Sequence, residues 1–157
     1  MINAGAQIPV LQLTTVLNGE TANISSDQFF AGKKIVLFAL PGAFTPTCSA
    51  SHLPGFVVKA DELFAKGVDV IACLSVNDSF VMKAWAESQN AEKITMIADG
   101  GADFTKALGL EMETGSFGGT RSQRYAMVVD NGIVNTLNVE KPKTFEVSSA
   151  EAILEIL

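Results

Sequence analysis

The chain has 157 residues, of which 48% are hydrophobic and 18% are charged, a composition typical of a globular domain with a buried core. Its 11 basic and 17 acidic residues leave a formal net charge of −6, which argues against a nucleic-acid-binding protein because such proteins usually carry a basic face. The sequence shows no secretory signal, no membrane-spanning apolar run and only 2 cysteines, so we expect a single domain over residues 1–157 in the cytoplasm, without a membrane partner.

The first 40 residues predict two strands separated by a short helical turn. Residues 10–17 alternate between apolar and polar side chains and end at Asn18-Gly19, which indicates an edge strand followed by a tight turn. Residues 25–30 predict a brief helical turn that Gly32 closes. Residues 33–40 are apolar without alternation, which is typical of a strand covered on both faces.

The chemically most informative stretch follows this strand and reads Pro41-Gly-Ala-Phe-Thr-Pro-Thr-Cys48. Thr45 and Pro46 are typical of a helix start, with threonine at the N-cap and proline at the first helical position. Cys48 then lies in the first turn, where unpaired backbone N–H groups and the positive end of the helix dipole stabilise a thiolate. An isolated free cysteine is more often a buried packing residue. This order of residues instead indicates a nucleophilic sulfur.

The rest of the chain predicts alternating helices and strands, then a hairpin. The helix after Thr45 is expected to kink at Pro54-Gly55 and to end at Gly67, and residues 68–76 predict a second buried strand, which gives a βαβ unit. We further expect a helix at 79–90, a strand at 93–98, a helix at 102–108, a long loop at 111–122, and hairpin strands at 124–130 and 133–139. Ser148-Ser-Ala-Glu151 predicts the capping box of a last helix. This order predicts an α/β sandwich with a mixed sheet.

Several of these stretches resemble the peroxiredoxin family. Pro41-x-x-x-Thr45-x-x-Cys48 is similar to the peroxiredoxin active-site motif, and residues 41–56 resemble the peroxiredoxin-5 branch, which includes the plant type II enzymes. Further similarity covers residues 72–78, 124–129 and 131–134. The resemblance implies a thioredoxin-like sandwich with a central mixed β-sheet flanked by helices, a homodimer, and a thiol-dependent peroxidase activity.

The resemblance also implies roles for four residues. The Cys48 thiolate would attack a peroxide oxygen and become a sulfenic acid. Arg124 is expected beside the sulfur because it begins a hairpin strand, whereas Arg121 is expected to be a solvated charge in the preceding loop. Thr45 is expected to cap the helix, to point its hydroxyl at the sulfur, or both. Pro41 is expected to shield the sulfur from water.

Three other side chains have candidate roles of a different kind. His52 follows Cys48 by one helical turn, but a catalytic cysteine and histidine usually come from separate elements, so we expect His52 to pack in the interior or at a dimer contact. Cys73 lies within an apolar strand and is predicted to be a core residue with a raised pKa. Phe117 is expected to give an apolar contact near the site from a flexible loop.

The predicted enzyme reduces hydrogen peroxide and organic hydroperoxides without a metal, haem or flavin. Residues 145–151 contain no cysteine, although some peroxiredoxin-5 relatives carry a resolving cysteine near the C-terminus, so an external thiol is expected: glutathione with glutaredoxin, or thioredoxin. Two alternatives stay open. A thiol–disulfide oxidoreductase would need Cys-x-x-Cys, whereas Thr45 occupies the first of those positions. A peroxide sensor or chaperone-like protein would use the same fold without turnover.

Overall fold

The computed structural model describes all residues 1–157 and is built on a seven-stranded mixed β-sheet. Its elements are β1 (Gln12–Leu17), β2 (Glu20–Ser25), α1 (Ser26–Phe30), β3 (Lys34–Ala39), a π-helical turn (Cys48–His52), α2 (Leu53–Ala65), β4 (Val70–Ser75), α3 (Ser79–Ser88), β5 (Thr95–Ala98), α4 (Asp103–Leu108), β6 (Glu111–Glu113), a 3-10 turn (Gly115–Phe117), β7 (Thr120–Ser122), β8 (Tyr125–Asp130), β9 (Ile133–Val139) and α5 (Ala150–Ile156). The sheet order is β2-β1-β5-β4-β3-β8-β9, and only the β3–β4 and β4–β5 pairs are parallel. The predicted α/β class and the βαβ unit are confirmed.

Strand β3, which lies between β4 and β8, is buried on both faces of the sheet, which explains why its sequence is apolar without alternation. Val36 and Phe38 belong to the core cluster that also contains side chains of α2, α3 and α5. Ile35 and Leu37 belong to the opposite cluster, with side chains of α1 and α4. Burying each side chain of this size stabilises the fold by about 2 kcal/mol. The turn that follows β3 and leads to Cys48 is therefore attached to a strand that is packed on both faces.

The tight turn predicted at Asn18-Gly19 and the hairpin predicted at Asn131-Gly132 are both present, and each joins two antiparallel strands. The φ angles are 50° and 83° at Asn18 and Gly19, and 49° and 80° at Asn131 and Gly132, so all four residues adopt the positive φ of a type I′ turn. The prediction that β1 is an edge strand is wrong, because β2 covers its outer side. The sequence of β2 is polar and its side chains are mostly exposed, so it gave no strand signal.

The helical irregularity near the predicted active site lies before Pro54-Gly55 and not at them. Both residues are inside α2, whereas the π-helical turn that precedes it is closed by a bond from Leu53 N to the Cys48 carbonyl. Pro54 has no N–H to donate to the residue four positions earlier, so a regular α-helical pattern cannot continue across this point. The proline thus widens the helix in the turn that contains Cys48.

Two predictions about the second half of the chain need correction. Residues 111–122 are not only loop, because β6 and β7 form a small antiparallel pair from short polar segments that lack an apolar pattern. The last helix is capped by Ser149, whose Oγ accepts from Ala152 N at 3.1 Å, and not by Ser148. None of the helices combines the length and the apolar character that a membrane span requires.

Candidate active site

The turn between β3 and the π-helical turn places Cys48 beyond the C-terminal end of β3. Asn77, which follows β4, accepts a hydrogen bond from Ala43 N through Oδ1 at 3.0 Å. Phe44 has a φ of 64°, a left-handed conformation that costs a residue other than glycine about 1 kcal/mol. The turn is therefore held in a strained geometry by a neighbouring strand end.

Thr45 occupies the N-cap position, but its hydroxyl makes neither of the contacts predicted for it. Its carbonyl accepts the first intrahelical bond, from Ser49 N at 2.9 Å. Its Oγ1 donates to the Gly42 carbonyl at 2.6 Å and has no hydrogen bond with Cys48 Sγ or with an N–H group of the first turn. The hydroxyl thus ties the turn together, and its lone pairs stay available to accept a hydrogen bond.

Cys48 accepts a hydrogen bond from Arg124 and lies in a helical turn that begins with unpaired backbone N–H groups. Its side chain is 1% exposed, and its Sγ accepts from Arg124 Nη2 at 3.1 Å. Because Ser49 N makes the first intrahelical bond, the N–H groups of Thr47 and Cys48 have no acceptor within the protein. A small anionic or polar ligand at the sulfur could therefore receive two backbone N–H groups and a guanidinium.

Arg124, immediately before β8, is fixed through both its backbone and its side chain. Its carbonyl accepts from Glu140 N at 2.9 Å. Its Nη1 donates to Nδ1 of His52 at 2.8 Å, while its Nη2 reaches Cys48. The ring of Phe145 lies with its centroid 5.8 Å from the Arg124 Cζ, within the range of a cation–π contact. The structure brings Arg124 and Cys48 together, as the sequence predicted for this arginine.

His52 contributes to the site in a way that sequence reasoning missed. Its ring is fully buried, Nε2 lies 2.9 Å from the Ser148 carbonyl, and Nδ1 faces Arg124. A carbonyl only accepts and a guanidinium only donates, so the proton is on Nε2 and Nδ1 is the acceptor. Burial, and then the charge of Arg124, lower the pKa of His52 to about 3. Interior packing was predicted correctly, whereas a dimer contact is excluded because the side chain has no exposed surface.

Arg121 is not the solvated charge that the sequence suggested. Its Nη1 donates to the Val76 carbonyl at 3.1 Å, and its Nε donates to the Gly118 carbonyl at 3.0 Å. A Cβ added to Gly118 would lie 2.6 Å from Nε, so the glycine is needed for this close approach. Arg121 therefore links β7, which precedes β8, to the residue that follows β4. The local sequence around Arg121 could not show this contact.

Cys73 lies in the body of β4, opposite Phe38 of β3 and Met96 of β5. It is fully buried, and this burial, reinforced by nearby Cys48, raises the pKa of its thiol well above the usual value. The prediction that Cys73 is a core residue is confirmed.

A cavity of about 730 Å³ is lined in part by Arg124 and by Thr47, the residue before Cys48. Pro41, Thr47, Phe117 and Phe145 are among its lining residues. Pro41 is half-buried there, and Phe117 is 73% exposed. Nowhere in the chain do three or more His, Cys, Asp or Glu side chains come together as a metal site would require.

Curated relatives of this chain are peroxiredoxins. The Redoxin family model matches residues 3–154. Peroxiredoxin-2D of Arabidopsis thaliana is 50% identical over 142 residues, which cover 89% of this chain and 88% of that protein. Peroxiredoxin-2E-2, chloroplastic, of Oryza sativa subsp. japonica is 51% identical over 145 residues, but this chain spans only 64% of its length.

Solved structures of peroxiredoxins share the fold over the whole chain. Reduced Prx3 from Vibrio vulnificus, determined in complex with hydrogen peroxide, has a TM-score of 0.95 and 62% identity, with 100% of both chains covered. Peroxiredoxin 5 from Alvinella pompejana has a TM-score of 0.85 and 33% identity, covering 99% of this chain and 97% of that one. The thioredoxin-like sandwich predicted from the sequence is confirmed, and the chain belongs to the Redoxin family, on its type II peroxiredoxin branch.

Proposed function

We propose that this protein is a thiol-dependent peroxidase that reduces hydrogen peroxide and organic hydroperoxides with Cys48 as its nucleophile. The observation that carries the proposal is the 3.1 Å hydrogen bond from Arg124 Nη2 to Cys48 Sγ, beside two backbone N–H groups without acceptors. A cation and two N–H donors stabilise negative charge on a nucleophilic sulfur and on a bound peroxide.

In the proposed reaction the Cys48 thiolate attacks one peroxide oxygen. The S–O bond forms as the O–O bond breaks, and the second oxygen leaves with the electron pair and takes up a proton to become water or an alcohol. Arg124 and the N–H groups of Thr47 and Cys48 stabilise the charge that moves to the leaving oxygen. The Thr45 hydroxyl donates to Gly42, so it would serve the peroxide as a hydrogen-bond acceptor. Pro41, at the cavity wall, would limit the access of water.

The sulfenic acid formed on Cys48 would be recycled by an external thiol. The thiol of glutathione, glutaredoxin or thioredoxin condenses with it to give a mixed disulfide and water, and a second thiol then releases Cys48. Cys73 is a poor internal partner because its raised pKa keeps it a thiol in the body of β4. Mass spectrometry after one equivalent of peroxide and then glutathione is expected to show the mixed disulfide. A prompt crosslink between Cys48 and Cys73 would contradict external recycling.

The proposed setting is a homodimer, as the family resemblance implies, in the cytoplasm, which is the compartment expected from the low number of cysteines. Phe80 and Phe44 are 83% and 55% exposed, which supports a contact between two copies near the active-site turn. Light scattering is expected to give twice the chain mass of 16.6 kDa, and the mass of one chain would contradict the dimer.

Steady-state peroxide consumption tests the proposed function. Turnover is measured side by side with glutathione plus glutaredoxin and with thioredoxin, using wild-type protein and the Cys48→Ser and Cys73→Ser variants. Wild type and Cys73→Ser are expected to turn over with at least one donor, and Cys48→Ser is expected to be inactive because a hydroxyl is a far poorer nucleophile at neutral pH. A wild-type protein that stops after one equivalent of peroxide would indicate a sensor instead.

A further inference from the structure

Glu140, directly after β9, is a buried carboxylate to which the peroxidase reaction assigns no role. It is 7% exposed and makes no ion pair. Its oxygens instead accept hydrogen bonds at 2.7–3.1 Å from five donors: Thr144 Oγ1, Glu146 N, Val147 N, Ser148 N and Ser148 Oγ. Burial alone would raise the pKa of Glu140, but these hydrogen bonds outweigh it and lower the pKa, so the group is ionised at neutral pH.

All five donors belong to residues 141–149, which connect β9 to α5 and are called the β9–α5 loop below. This loop supplies two of the groups that contact His52. The Ser148 carbonyl accepts from His52 Nε2 at 2.9 Å, and the Phe145 ring lies 5.0 Å from the His52 ring. The same Phe145 ring faces the guanidinium of Arg124. Glu140 therefore fixes, through its side chain, the segment against which His52 and Arg124 rest.

The position of Ser148 matters because it selects the tautomer of His52. With the carbonyl at Nε2, the ring keeps its proton there and offers Nδ1 to Arg124 Nη1 at 2.8 Å. If the carbonyl moved away, only the guanidinium would still favour the proton on Nε2, so the preference would weaken and some of the protein would adopt the Nδ1–H form, whose N–H faces the N–H groups of the guanidinium. Two donors facing each other repel, so Arg124 would lose the contact that aims Nη2 at Cys48. The backbone of Glu140 adds a second support, because its N–H donates to the Arg124 carbonyl.

We propose that Glu140 is a positioning residue, which acts through the β9–α5 loop and the His52 tautomer to hold the Arg124 guanidinium against Cys48 Sγ. The predicted effect of Glu140 on the reaction rate rests on the peroxidase function proposed above. Its predicted effect on the tautomer of His52 does not. If Glu140 only stabilised the conformation of the β9–α5 loop, its removal would leave the tautomer of His52 and the reactivity of Cys48 unchanged. The purely structural role and the positioning role therefore predict different results.

The first experiment uses Glu140→Gln, with Glu146→Gln as its matched control. Glutamine keeps the size of the side chain but replaces one acceptor oxygen by an amide that faces backbone N–H donors. Glu146 lies in the same loop and its side chain is exposed, so its variant removes the same charge without touching the hydrogen bonds. His52 is the single histidine, so 15N-histidine labelling reports its tautomer by NMR without overlap. Wild type and Glu146→Gln are expected to show the Nε2–H form, and Glu140→Gln a mixture with Nδ1–H.

The second experiment follows the effect to the sulfur. In Glu140→Gln, the second-order rate constant with hydrogen peroxide is expected to fall about tenfold, less than the loss of 10²–10³ typical of removing a whole oxyanion donor. Alkylation of Cys48 at neutral pH is expected to slow as well, because the guanidinium no longer stabilises negative charge at the sulfur. If Glu140 acts through Arg124, then Arg124→Ala and the Arg124→Ala/Glu140→Gln double variant have the same residual rate.

The contrary results are equally specific. A Glu140→Gln protein that unfolds at a lower temperature but keeps the Nε2–H tautomer and the wild-type rate overturns the proposal. A rate constant in the double variant that is tenfold below that of Arg124→Ala also overturns it. If Glu140→Gln does not fold, Ser148→Ala is the replacement variant, because it removes one of the five donors, Ser148 Oγ. It is expected to shift the His52 tautomer and the rate in the same direction as Glu140→Gln. The absence of a shift in both would overturn the proposal. Absence of peroxide turnover in wild type would refute the peroxidase, while the NMR comparison would still decide the role of Glu140.

Discussion

Acidification from about pH 7.5 to about pH 5 is expected to destabilise the protein mainly through one side chain, because His52 is its single histidine. Burial and the Arg124 charge lower the pKa of His52 from 6.5 to about 3 in the folded protein. Below pH 6.5 His52 therefore binds a proton in the unfolded chain but stays neutral in the folded protein. The contribution of neutral His52 to the free energy of unfolding is fully present above pH 6.5 and is lost as the pH falls toward 3. Between these two pKa values the free energy of unfolding falls by about 1.4 kcal/mol per pH unit, so the loss at pH 5 is about 2 kcal/mol.

Urea denaturation at the two pH values measures this loss, with the fluorescence of the single, buried Trp85 as the signal. The matched variant is His52→Gln, whose amide can still donate to the Ser148 carbonyl but does not titrate. This variant is expected to be less stable than wild type at pH 7.5 and to lose little further stability at pH 5. Equal wild-type stabilities at both pH values, or the same loss in His52→Gln, would refute a neutral, buried His52.

Three further substitutions test separate parts of the structure by urea denaturation and stopped-flow peroxide reduction. Tyr125→Phe is expected to raise the free energy of unfolding by about 1 kcal/mol, because the buried Tyr125 hydroxyl has no hydrogen-bond partner, and a clear loss of stability would reveal a hidden one. Cys73→Ser is expected to cost about 1–3 kcal/mol for a hydroxyl buried in an apolar strand while most activity remains, so an inactive but folded variant would contradict its core role. Arg121→Ala is expected to cost about 1–2 kcal/mol, through the hydrogen bonds lost at Val76 and Gly118, and to react with peroxide nearly as wild type does.

The fold was largely predictable because its informative signals are local. The apolar run of β3, the Asn-Gly turns and the threonine and proline before Cys48 each constrain a few neighbouring residues, and together they specify the βαβ unit and the location of the sulfur. The elements that were missed, β2, β6 and β7, are short and polar, so hydrophobic periodicity carries no information about them.

The candidate site was predictable only in part because its hydrogen bonds join distant residues. Arg124 and His52 are 72 positions apart, and His52 and Ser148 are 96 positions apart. Family resemblance pointed to Arg124, but no pattern in the sequence connects it to His52 or to the β9–α5 loop. Arg121 was misjudged for the same reason, since its acceptor at Val76 lies 45 positions earlier. The four-residue spacing of Cys48 and His52 was the one local hint that His52 belongs to the site.

The contact between Arg124 and Cys48 is tested most directly by the bimolecular rate of Cys48 oxidation. Stopped-flow fluorescence of Trp85, whose Nε1 donates to Ser49 Oγ at 3.0 Å next to Cys48, can follow this reaction without any reductant. Arg124→Ala is expected to lower the rate constant with hydrogen peroxide by about 10²–10³-fold while the circular dichroism spectrum is unchanged. A folded Arg124→Ala protein that is oxidised at the wild-type rate, or no more slowly than Arg121→Ala, would contradict the activation of Cys48 by Arg124.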